Sequence, residues 1–94
     1  MRKQEKTYVS ISKEERGYFL FFQGSDRDNS GILRPKIGGV RGDDFGEVIK
    51  GLKWILKDNR GDSFIFDSKN SYGVGSEEEL IIRRFIGRSN RGFL

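Results

Sequence analysis

The chain has 94 residues, 18 Lys and Arg against 14 Asp and Glu, a net charge of +4, and neither cysteine nor histidine. This length allows one domain with a modest core, which a homodimer would help, and the basic balance favours a polyanionic partner. The missing cysteines exclude a disulfide framework, a thiolate nucleophile and iron–sulfur ligation; the missing histidines remove the commonest general base and metal ligand.

Taken in chain order, the first element is a short alternating strand over 7–12, Thr-Tyr-Val-Ser-Ile-Ser. A charged turn leads to a denser strand over 17–23, Gly-Tyr-Phe-Leu-Phe-Phe-Gln, and a polar loop over 24–31 follows. A basic strand, 32–37, precedes a Gly-Gly-Val-Arg-Gly bend that carries Arg41. Pro35 cannot donate to a ladder, so this strand belongs at an edge or carries a bulge. An amphipathic helix over 44–57 comes next. Phe45, Val48, Ile49, Leu52, Ile55 and Leu56 form one apolar stripe, and Asp44 with Glu47 matches a capping box. Trp54 falls opposite Phe45 at about 100° per residue. It reads as a surface residue, a contact for a dimer mate or for the C-terminal segment, or a base-stacking group.

Alternate strand residues point to opposite faces. Val9 and Ile11, Phe19 and Phe21, and Leu33 and Ile37 are the natural partners of the helix stripe. The other face then presents Tyr8, Ser10, Tyr18, Phe22, Arg34 and Lys36. Aromatic rings stack on unpaired bases and cations follow the phosphate chain, so such a face has the character of a platform for single-stranded nucleic acid. Alternatively, Tyr18, Leu20 and Phe22 are also core, covered by the C-terminal segment or by a dimer mate.

Beyond the helix, 63–67 reads as a strand and 68–75 as a loop holding Tyr72, a further stacking group. Residues 76–87 fit a helix, with Ser76 and Glu79 as a capping pattern and Gly87 as a stop. The run Leu80-Ile81-Ile82 followed by Arg83 and Phe85 fits a strand instead. The helix is the preferred reading. The last residues are basic, either a solvated end or a phosphate-contacting arm.

Residues 8–56 resemble the C-terminal single-stranded-DNA-binding domain of the transcriptional coactivator positive cofactor four, or p15, family. The resemblance lies in Tyr8-Val9-Ser10-Ile11, the turn ending Arg16-Gly17, Leu33-Arg34-Pro35-Lys36, Gly39-Val40, and a helix opened by Asp43-Asp44-Phe45. It implies a homodimer of curved antiparallel sheets packed on helices, binding unpaired DNA in transcription, replication or recombination. Contacts carried over by position are Arg16, Arg34 and Lys36. Arg27 alone stands near the place of a family Arg and Trp, and Lys13-Glu14-Glu15 replaces a family aromatic. No long N-terminal regulatory tail precedes the matched segment, which favours a bacterial or phage member.

The expectation is therefore one α+β domain with a curved antiparallel sheet on an amphipathic helix. It has a β-β-β-α core over 7–58 and a strand and helix extension over 59–94, and it forms a homodimer. The expected nucleic-acid-binding residues are Tyr8, Arg16, Tyr18, Phe22, Arg27, Arg34, Lys36 and Arg41. The expected partners are single-stranded nucleic acid, DNA favoured over RNA, a second copy, and a polymerase or replication protein. No cofactor is called for. Asp43, Asp44 and Glu77–Glu79 read as helix starts and Asp26 and Asp28 as turn residues, so no enzyme is expected. No apolar run nears the roughly 20 residues of a membrane span and no signal peptide is evident, so a soluble intracellular protein is expected. The alternative is a protein-interaction module or polymerase regulator using the aromatic face. The purine-rich-element binders also join sheets to a helix.

Overall fold

The computed structural model describes residues 6–27, 30–59 and 63–92, the side chains of 26, 27, 33 and 34 excepted. Three strands, β1 (Lys6–Glu14), β2 (Gly17–Arg27) and β3 (Leu33–Gly42), lead into helix α1 (Phe45–Asp58). Strand β4 (Ser63–Phe66), a 3-10 turn (Ser68–Asn70) and helix α2 (Ser76–Asn90) complete the chain. The sheet order is β3-β2-β1-β4, with β4 parallel to β1 and the other pairs antiparallel. The sheet is thus mixed rather than antiparallel throughout, because β4 returns to β1 by way of α1. Pro35 lies on the edge strand β3, the kind of strand that tolerates a residue without an N–H.

Two strands run further than composition indicates. β2 continues through Gly24 to Arg27, and β3 continues through the Gly-Gly-Val-Arg-Gly segment in place of a bend. Two aromatic rings explain the glycines. A Cβ on Gly38 would fall 2.4 Å from the Phe22 ring, and one on Gly39 would fall 2.5 Å from the Phe19 ring. The bare backbone lets one ring lie over β3 on each face.

The core unites Val9, Ile11 and Leu20 of the sheet with Val48, Leu52, Ile55 and Leu56 of α1, Phe64 of β4, and Ile82 and Ile86 of α2. The stripe expected for α1 is the one that packs. Asp44 Oδ1 accepts the Glu47 N–H at 2.9 Å and Glu47 Oε2 accepts the Asp43 N–H at 3.1 Å, closing the N-terminus. A Cβ on Gly51 would fall 2.5 Å from Val40 Cγ1, so this glycine sets how closely α1 approaches β3. Residues 76–90 are helical, and Glu78 Oε1, rather than a Ser76–Glu79 pair, closes the turn by accepting the Gly75 N–H at 3.0 Å.

The outer edge of β4 is closed by one side chain. Asn90 Nδ2 donates to the Phe64 carbonyl and Asn90 Oδ1 accepts the Phe64 N–H, both at 2.9 Å. Beyond β4 the chain stays beside β1. The Tyr72 N–H donates to the Ile11 carbonyl at 3.0 Å and the Lys13 N–H donates to the Tyr72 carbonyl at 2.8 Å. Trp54 is 66% exposed on the outer side of α1, not covered by the C-terminal segment.

Candidate nucleic-acid interface

Both helices pack on one face of the sheet, and the register decides which residues the other face presents. The β1–β2 connection is a two-residue turn, Glu15–Arg16, that pairs Glu14 with Gly17. Partners across this hairpin therefore have opposite parity: Val9 faces Phe22, Ile11 faces Leu20, Ser10 faces Phe21 and Ser12 faces Phe19. This reverses the assignment made from strand alternation alone. Tyr18, Leu20 and Phe22 lie on the helix side, and Phe19 and Phe21 lie on the uncovered side with Tyr8. The same register puts Val40, Gly38 and Lys36 on the helix side and Arg41, Gly39, Ile37 and Pro35 on the uncovered side.

Tyr18 and Phe22 are accordingly packing residues. Tyr18 meets Phe45 edge to face at 5.7 Å, and its hydroxyl donates to Glu78 Oε2 at 2.7 Å. That bond raises the Tyr18 pKa, with burial and the Glu78 charge acting the same way. For Glu78, burial acts upward, but the Gly75 N–H, the Tyr18 hydroxyl and the Lys13 charge prevail and lower its pKa. The C-terminal segment thus covers Tyr18, as the alternative reading of the sequence allowed.

The uncovered face holds Tyr8, 45% exposed, and Tyr72, 65% exposed and bridged to Ser12. Between them Phe19 and Phe21 are half-buried against each other, with centroids 6.4 Å apart and planes 30° from parallel. These four rings border a shallow concavity of about 360 Å³ with Gln23 and Asn70 at its rim. Arg41 is a cation of this face. Its guanidinium lies 5.2 Å from the Phe19 centroid and 3.6 Å from Glu14. The exposed ion pair contributes little, about 0–1 kcal/mol, so this long side chain is readily redirected to a phosphate.

Of the residues expected from the sequence, Tyr8 and Arg41 stand on this face. Arg16 is exposed at the hairpin tip, where it borders a separate cleft with Glu14, Tyr18 and Arg41. Lys36 is half-buried at a helix-side register position opposite Gly24. Arg27 and Arg34 are strand residues whose side chains lie outside the described ones. Phe19 and Phe21 were assigned to the core by parity. The length of the charged turn was the signal that could have placed them. Comparison with family models, curated proteins and solved structures returns no match.

Proposed function

We propose that this chain is a single-stranded nucleic-acid-binding protein of low sequence specificity, acting as a homodimer in replication, recombination or transcription regulation, with DNA favoured over RNA. The observation that carries the reading is the uncovered sheet face, where Tyr8, Phe19, Phe21 and Tyr72 surround one concavity beside Arg41. Unpaired bases present π-faces to such rings, and each stacked base contributes roughly 1–3 kcal/mol whatever its identity. A duplex hides those π-faces. The resemblance to the p15 family supports the same reading through the order of its strands, edge proline and helix, and a curved sheet would fit it.

The test is a fluorescence titration with a single-stranded oligonucleotide beside its duplex, repeated on Phe19→Ala and across salt. Binding should favour the single strand, weaken about 5- to 150-fold in the variant (roughly 1–3 kcal/mol), and fall with salt. Equal affinity for the duplex, or an unaltered Phe19→Ala, would overturn the assignment. A second reading, a protein-binding face, draws on Ile37, 60% exposed beside the rings. Under that reading oligonucleotides would not bind, and capture of a polypeptide partner would be insensitive to salt.

A further inference from the structure

The proposed binding face is rich in rings and poor in cations, while the cations are concentrated on the opposite side of the molecule. The middle of α1, 48–57, carries Lys50, Lys53 and Lys57 and no acid; the body of α2, 80–90, carries Arg83, Arg84 and Arg88 and no acid. Acids on the two helices stand at their ends, Glu47 and Asp58 on α1 and Glu77–Glu79 on α2. Arg83 is engaged with Glu79 at 2.9 Å and lies over Phe66. Among the described residues, Lys50, Lys53, Lys57, Arg84 and Arg88 make no ion pair, and all are exposed.

The two helices bring these charges into one surface. Lys53 Nζ lies 4.9 Å and the Arg88 guanidinium 6.0 Å from the centroid of the same Phe85 ring, so a cation from each helix converges there without an intervening carboxylate. Trp54 follows Lys50 by four positions and precedes Lys57 by three, which places it between them on the outer side of α1. An indole exposed over two-thirds of its surface amid lysines joins a stacking plane to phosphate contacts.

We infer that the outer surface of α1 and α2 is a second binding site for single-stranded nucleic acid, so that one chain holds two strand segments on opposite faces and bridges them. Charge complementarity selects the occupant: like charges gathered this closely repel one another until a polyanion neutralises them, and the exposed indole favours one with free bases. The inference takes from the proposed function only the class of ligand; the surface itself is separate from the sheet face.

Trp54 is the only tryptophan in the chain, so its emission reports on this surface alone. The experiment titrates the full chain with an eight-nucleotide deoxyoligonucleotide, following Trp54 emission together with the stoichiometry. The same titrations use K50E/K53E/K57E, Phe19→Ala/Phe21→Ala, and vesicles of phosphatidylserine and phosphatidylcholine. Trp54 should be quenched saturably, with two oligonucleotides bound per chain at saturation. In the lysine variant that quenching should weaken at least ten-fold and its salt slope should drop by about 2, since each single-strand phosphate contact contributes roughly 0.7. Thermal melts check that this surface variant remains folded. The Phe19/Phe21 variant should retain the Trp54 response, so failure of the sheet-face reading and failure of this one are distinguishable. Unchanged Trp54 emission at saturation, or loss of the Trp54 response in the Phe19→Ala/Phe21→Ala variant, would overturn the inference. So would a Trp54 blue shift with the vesicles and no Trp54 quenching with the oligonucleotide, which would assign the surface to an anionic lipid layer. One oligonucleotide per chain with Trp54 fully quenched would instead remove the sheet-face site.

Discussion

Truncating Phe21 and truncating Phe22 should have opposite consequences, because adjacent strand residues point to opposite faces. Phe22 packs against the core and over Gly38, so Phe22→Ala should destabilise the fold toward the lower end of the roughly 3–5 kcal/mol seen for buried Phe→Ala. Phe21→Ala should leave the melting temperature nearly unchanged and weaken oligonucleotide binding. Thermal melts and titrations of the two variants check this, and a reversed pattern would show β2 to be one residue out of register. The Tyr18–Glu78 bond gives a pH signature. Glu78 has a lowered pKa in the folded state, so its contribution is present above the ordinary carboxylate value, about 4.3, and is lost as pH falls through the lowered value. Tyr18 has a raised pKa, so its contribution is present below about 10 and is lost as pH rises through the raised value. Melting temperatures of wild type and Glu78→Gln should converge in acid and separate near neutrality. A constant offset between pH 3 and 7 would refute this account.

At the scale of elements, close approach and helix propensity make opposite demands on two glycines. Gly51 sits in α1 where a Cβ would strike Val40, and Gly87 sits in α2 where the nearest atom, the Arg91 guanidinium, would be 4.0 Å away. Helix propensity alone favours alanine at either site by roughly 1 kcal/mol. Gly87→Ala should therefore stabilise the protein by about 0.5–1 kcal/mol. Gly51→Ala should destabilise it by roughly 1–3 kcal/mol, as overpacking does, by forcing α1 away from β3. Chemical denaturation of the two variants measures both signs. Asn90 is the corresponding constraint at the other edge: it caps the backbone of β4, which ties the C-terminal end of α2 to that strand.

For the whole molecule, the proposed homodimer implies a light-scattering mass near twice 10.8 kDa at micromolar concentration. A mass of one chain there would remove the dimer from the proposal while leaving both nucleic-acid surfaces to be tested as monomer properties. No helix among the described residues is long and apolar enough to cross a membrane.

Local pattern alone determined the strand–strand–strand–helix order, the buried stripe of α1, the capping role of Asp44 and the edge position of Pro35. Each depends on neighbours within a few residues, through side-chain period, capping geometry or a missing N–H. The helix expected at 76–87 is present, but neither of its expected end signals holds: Glu78 with Gly75 closes its start and it runs past Gly87 to Asn90. Which rings face outward was decided by the tertiary structure, because the length of one turn sets whether strand partners share parity, and a shift of one residue moves a whole strand's side chains to the other face. The same holds for the long-range contacts. Tyr18 is covered because α2, some 60 positions later, brings Glu78 to its hydroxyl, and the lysines of α1 join the arginines of α2 only where the two helices meet at Phe85. No local period encodes those meetings; they follow from burying two apolar helix faces on one side of a small sheet.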